Sequence, residues 1–177
     1  LPARFPGIQS VQFIRPVPGP AGAPRYVVEY VEPLRGNEFA LGLDTGRDER
    51  RRAALERARD TGEAAGSGAV TLVETTRQYG FLLRAPIYRR GLPVDTVAQR
   101  RAALVGFAGA VVRMDDFMSV ALSESTRQRL RVTIRDRGEP LYEPPAAPDG
   151  WGLRLARQFP RTIGGEVWQV TVEASAS

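Results

Sequence analysis

Branched and aromatic residues return at regular intervals along much of the chain, and the interval changes from stretch to stretch. Leu130 to Asp136 (LRVTIRD) alternates apolar and polar positions with the period of two of a half-buried strand. Ile8 to Val17, entered through the Pro6-Gly7 turn signal, and Arg25 to Glu32 (RYVVEYVE) carry strand patterns as well. Between them Pro16 to Pro24 (PVPGPAGAP) is too rich in Pro and Gly for regular structure. Gly80 to Tyr88 and Trp151 to Phe159 predict further strands, and Glu166 to Val172 predicts the last, after the Gly164-Gly165 turn. Leu141-Tyr142 pairs back after the turn at Arg137-Gly138. Leu104 to Arg113 is almost continuously apolar, which predicts a strand buried on both faces.

The period lengthens in Asp48 to Thr61 (DERRRAALERARDT), which lacks Gly and Pro and sets Ala54, Leu55 and Ala58 at helical spacing. Asp48 and Glu49 suit the positive end of that helix, and Gly62 closes it. Asp115 to Leu122 predicts a second helix, and Arg89 to Arg101 a long loop with a helical end. Gly66-Ser67-Gly68 reads as a flexible turn before a strand from Ala69 to Glu74. The chain divides near Met118 to Leu122 into a mixed part, 1–118, and a smaller strand-rich part, 119–177.

Composition narrows the chemistry. Among 177 residues there are 25 basic and 20 acidic side chains, a formal charge of +5, and every basic residue is arginine; lysine, histidine and cysteine are absent. Without His or Cys there is no Ser-His-Asp or Cys-His nucleophile system and no ordinary zinc or haem site. Without Lys there is no Walker A loop or Schiff base. Catalysis would rest on carboxylates, so a glycosidase-like pair is the surviving enzyme class. The alternative of an arginine-rich nucleic-acid binder is opposed by Asp48, Glu49, Glu56 and Asp60, which interleave with Arg50, Arg51, Arg52, Arg57 and Arg59 and pair much of that charge along the helix. No run reaches the ~20 apolar residues of a membrane span, and Leu1 to Arg4 lacks the features of a signal peptide. The expectation is an excised, soluble module with no metal or cofactor.

The motifs PGIQSVQFI, RYVVEYVEP with Asn37, GLD, RRAALERARDTG, LLRAPIYRRGLP and RRAALVGFAGAVVRMDDFM, in this order from Phe5 to about Leu122, resemble CHASE domains. These are extracytoplasmic sensor modules of receptor histidine kinases, diguanylate cyclases and the plant cytokinin receptors. The resemblance implies a mixed α/β (α+β) fold of two PAS-like subdomains with antiparallel sheets, here lacking most or all of the N-terminal stalk helix. It implies a membrane-distal part that binds a small molecule, a proximal part that relays the change, attachment to the membrane through segments outside this chain, and a homodimer. No catalytic residue is implied, and the output enzyme lies elsewhere in the receptor.

Asp44 matches the aspartate that hydrogen-bonds the adenine ring in cytokinin receptors, which points to an adenine-like ligand. Read locally, Asp44-Thr45-Gly46 is Asx-turn or N-cap chemistry. Thr75 and Thr76 lie near the position of the family's ring-contacting threonine. Where plant receptors carry an apolar stretch, this chain has Gly66-Ser67-Gly68. Arg77 and Arg84 bracket a strand and suit a carboxylate or phosphate ligand, while Tyr79, Phe81 and Leu83 alternate as one face of a cleft.

Overall fold

The computed structural model describes residues 6–72, 79–146 and 151–175. Two antiparallel sheets carry the chain, with helices between and beside them. The first sheet holds β1 (Ile8–Val17), β2 (Arg25–Glu32), β3 (Ala65–Thr71), β4 (Tyr79–Tyr88) and β5 (Leu104–Arg113) in the order β2-β1-β5-β4-β3. The second holds β6 (Leu130–Asp136), β7 (Glu139–Tyr142), β8 (Leu153–Ile163) and β9 (Glu166–Ser175) in the order β7-β6-β9-β8. This is the mixed, two-sheet α+β architecture that the sequence implies.

Helix α1 (Glu49–Thr61) starts where the Asp48 side chain accepts the N–H of Arg51 and stops at Gly62, which is left-handed. Asp48 is therefore the cap and not a first-turn residue. Ala54, Leu55 and Ala58 bury one face of α1 on the first sheet, against Ile14, Tyr26, Val28 and Phe107. The Tyr26 and Phe107 rings meet edge to face at 5.8 Å beneath that face, and the helix runs along β3 and β4. Helix α2 (Val97–Ala103) opens with a capping box between Thr96 and Gln99. Helix α3 (Met114–Ala121) follows β5 directly and buries Met114 and Met118 in a second core that both sheets share, with Phe81, Val132, Ile134, Leu141 and Trp168. Helix α4 (Glu124–Arg129), capped by Ser123, buries no side chain, and its amphipathic signal is correspondingly absent from the sequence.

Two expectations change. β5 is not sealed on both faces: Ala108 is exposed, and the face that it shares with Ala85 and Ile87 borders an open apolar groove. The Gly66-Ser67-Gly68 segment is not a flexible turn but the buried beginning of β3. It is extended because the second sheet meets it there. Gly66 N–H donates to the Gly164 carbonyl at 2.7 Å, and Ala69 N–H donates to Asp136 Oδ2 at 2.8 Å. Gly68 forms the bulge at φ +72°, and a Cβ there would stand 2.5 Å from Asp136 Oδ2.

The arginines of α1 also pair differently from the sequence reading. Arg57 donates to the carbonyls of Gly66 and Gly164 and to Glu166, while Arg50 reaches Glu139 at 3.2 Å. Both reach across to the second sheet; only Arg59, with Asp60, pairs along the helix as expected.

The Gly68→Ala variant combines a left-handed backbone with a clash against a buried carboxylate. We expect it to lose about 2 kcal/mol or more in urea unfolding, with the loss reduced when Asp136 is also replaced by Ala.

Candidate functional site

Helix α1 covers only part of its face of the first sheet. Toward the end of the strands where β1 begins, a cavity of about 50 Å³ remains beneath the short helical turns at Glu38–Ala40 and Thr45–Arg47. Its walls are apolar where Val28, Leu43, Leu82 and Val111 reach it. Its polar groups come from Gln9 and Ser10 of β1, from Asn37 and Thr45 in the turns, and from three arginines: Arg51 of α1, Arg84 of β4 and Arg113 of β5.

Arg84 dominates this site. It is 2% exposed, and its Nε and Nη1 have no hydrogen-bond partner among the described residues. Burial, followed by the like charge of Arg51, pushes the guanidinium down to about 9, so it stays charged at neutral pH. Room for it is made on the neighbouring strand: Gly109 pairs with Arg84 across the β4–β5 ladder, and a Cβ on Gly109 would lie well inside contact with Nη1. Nε of Arg51 and of Arg113 are likewise buried without a partner, as are Gln9 Oε1 and Thr45 Oγ1. Among the described residues no Asp or Glu lines the cavity.

Such a set is unusual in an interior, where buried polar atoms almost always find partners. Three guanidinium groups around a small volume, of which Arg113 also faces Asp116 at 3.8 Å, make a positive lining, and Gln9 and Thr45 add unpartnered acceptor oxygens.

Among the described residues of the sequence-derived set, Arg84 alone lines this cavity. Tyr79, Phe81 and Leu83 share a strand with it but point to the opposite face. Phe81 is 6% exposed and meets Trp168 edge to face at 4.9 Å, and Tyr79 and Leu83 pack against the same core between the sheets. Thr75, Thr76 and Arg77 lie outside the described residues.

Asp44 sits beside the cavity, between Leu43 and Thr45, with its carboxylate turned toward β2. Its Oδ1 accepts the N–H groups of Tyr26, at 3.1 Å, and Gly46, at 3.2 Å, while Oδ2 faces Arg25 at 3.3 Å and Arg47 at 3.8 Å. It caps the turn that carries Thr45, in keeping with the local reading of its sequence, and the structure does not bring it to Arg84.

Arg51 and Arg113 were not singled out from the sequence. For Arg51 a signal exists: it precedes Ala54 by three positions and Leu55 by four, so it shares their buried face. Arg113 ends a strand whose alternate residues Phe107, Gly109 and Val111 face α1 and the cavity, and the same parity points it there.

The family model for the CHASE domain matches residues 1–145. No curated protein matches the chain. Among solved structures, the chain is similar to an extracellular ligand-binding receptor from Desulfohalobium retbaense, with a TM-score of 0.62 and 14% identity over 96% of this chain; it spans 30% of that receptor's length. It is similar to the ligand-binding domain of the Pseudomonas aeruginosa amino-acid chemoreceptor PctC in complex with GABA, with a TM-score of 0.54 and 14% identity over 99% of this chain and 77% of that one. A third similarity is to the periplasmic sensory domain of the Campylobacter jejuni chemoreceptor Tlp1, with a TM-score of 0.56 and 12% identity over 96% of this chain and 73% of that one. At these identities the likeness is one of fold.

Because Asp44 satisfies two backbone donors, Asp44→Ala should destabilise the protein by about 1–2 kcal/mol in urea unfolding. Asp44→Asn, whose amide oxygen still accepts, should lose less than half of that. Equal losses in the two variants would instead assign the effect to the ion pairs with Arg25 and Arg47.

Proposed function

Since the chain belongs to the CHASE domain family of extracytoplasmic sensor modules, we propose that it detects a small molecule in the Arg84 cavity and passes the change to its second sheet. The observation that carries this reading is the lining itself: residues on β1, β4, β5, α1 and a turn that hold buried hydrogen-bonding atoms without partners among the described residues line one space. Atoms placed this way cost free energy until something pairs with them, so a ligand that does so favours the arrangement in which they converge.

The family is one of sensors rather than catalysts, and the chain supplies the receiving half of a receptor whose output enzyme, a kinase or cyclase, lies in another part of the protein. Residues 1–118 form the membrane-distal binding part and 119–177 the proximal part. The module faces the periplasm or the outside, joined to the membrane by segments flanking it, and works within a homodimer.

The route between the parts is short. Arg84 is paired with Ala65 on β3, and the next residue, Gly66, is bonded to Gly164 in the turn between β8 and β9. Arg57 clamps both carbonyls and Glu166, which also binds Arg137 at 2.8 Å. A shift of β3 driven from the cavity reaches β9 through this clamp.

The test begins with a thermal-shift screen of the chain against small metabolites, in which a ligand at a hundred times its dissociation constant contributes about 2.7 kcal/mol. Ser10→Leu, which fills the cavity from its β1 wall, should abolish the shift given by any hit. Ligand should also slow amide hydrogen exchange around Gly164 to Val170, and Arg57→Ala should remove that slowing without removing binding. Binding that survives Ser10→Leu sinks the site, and exchange that stays unchanged at the β8–β9 turn sinks the route.

A further inference from the structure

Resting on the cavity reading above, the structure further assigns the chemical class of the ligand. We infer that the Arg84 cavity binds a short-chain carboxylate of about two to four carbons, held by the guanidinium groups of Arg84, Arg51 and Arg113 with its alkyl end against Val28, Leu82 and Val111.

Charge comes first. Three guanidinium groups line the space, and among the described residues no carboxylate does; Arg113 faces Asp116 at 3.8 Å outside it, while Arg84 and Arg51 have no ion pair among the described residues. A buried guanidinium without a counter-ion is held at a large cost, and an anion is the partner that removes it. Arg84 lines the space, and its Nε and Nη1 find no partner among the described residues; a carboxylate beside such a guanidinium makes charge-assisted hydrogen bonds that a neutral ligand cannot.

Size comes second. A cavity of about 50 Å³ holds only a few non-hydrogen atoms, since a single water needs ~10–15 Å³ on the same measure. A bicyclic purine does not fit, whereas acetate, lactate or pyruvate does. Lining comes third: the aliphatic walls would be left against water by nitrate or phosphate but are covered by a short alkyl chain. Gln9 and Thr45, whose Oε1 and Oγ1 have no partner among the described residues, line the same space and supply acceptors for a hydroxyl group, which favours a 2-hydroxy acid within the class.

Gly109 is the second sign of a built site. Its missing side chain is what lets the guanidinium lie where it does, so this position answers to Arg84 rather than to backbone geometry.

The experiment is isothermal titration of the chain with acetate, lactate, pyruvate, nitrate, phosphate and adenine, each to about 10 mM, repeated on Arg84→Met, Gly109→Ala and Ser10→Leu. The expected result is that at least one carboxylate binds and that Arg84→Met weakens it about a hundredfold or more. The melting temperature of ligand-free Arg84→Met should be equal or higher by ~2–4 °C, because an unpaired buried charge has been removed. That combination separates a ligand contact from a structural role, in which loss of binding would come with loss of stability. Gly109→Ala should weaken the same carboxylate while leaving the protein folded.

Carboxylate binding that is unchanged in Arg84→Met overturns the assignment, as does tighter binding of nitrate or phosphate than of any carboxylate, or no anion binding at all. Adenine binding that is lost in Ser10→Leu but kept in Arg84→Met would overturn the carboxylate class while leaving the cavity as the sensory site. Carboxylate binding that persists in Ser10→Leu would overturn the cavity itself.

Discussion

An ionised side chain can be enclosed in a protein only if something compensates for the water it has lost, and Arg84 is enclosed with two of its donor atoms facing no protein acceptor among the described residues. Much of the first sheet is arranged around that fact. Gly109 leaves the opposite strand bare at the point where the guanidinium lies, and the helical turns from Glu38 to Arg47 arch over the gap that α1 does not fill. Arg51, on a separate element, lines the same space and makes the demand for negative charge larger, while Arg113 is met in part by Asp116 at 3.8 Å. A core of Leu or Met at these positions would pack more cheaply. Interiors that keep such a feature are those where stability has been yielded to binding.

The second organising element is the seam between the sheets. It is unusual for a segment as small as Gly66-Ser67-Gly68 to be fully buried, since glycine offers neither apolar surface nor conformational restraint. It is buried because its backbone is the contact. The carbonyl and N–H groups of β3 meet the Gly164 carbonyl, the Arg57 guanidinium and the Asp136 carboxylate at distances that a Cβ would prevent. Beside it the shared core of Phe81, Met114, Met118 and Trp168 gives the two sheets a common apolar wall. The two sheets are therefore joined both by backbone contacts at β3 and by a shared apolar core.

Much of this was legible in the chain. β2, β5 and β6 fall on the bounds that periodicity gives, and α1 begins and ends at residues whose chemistry announces a cap. What could not be read was anything decided by a distant neighbour. Glycines that look like a loop become strand when a second sheet bonds to them, and α4 carries no apolar stripe because it buries nothing. The candidate site shows the same limit in one strand. Arg84 is legible as a candidate anion contact, and the alternation of Tyr79, Phe81 and Leu83 as one face of the strand, but which face meets the cavity is decided by α1 and the second sheet. Arg51 was hidden within a run of charge, although its spacing to Ala54 and Leu55 placed it on the inner face.

The seam has one more implication, for how such a domain diversifies. Its bonds join the Gly66 and Gly164 main chain to each other and to Arg57, Asp136 and Glu166, none of which lines the cavity, and so are indifferent to which side chains do. Substitutions on the inward positions of β1, β4 and β5 can exchange one chemical for another without redrawing the connection to β9. A single transmission can then serve many stimuli, with evolutionary change confined to a handful of inward-facing residues and conservation concentrated where the two sheets touch.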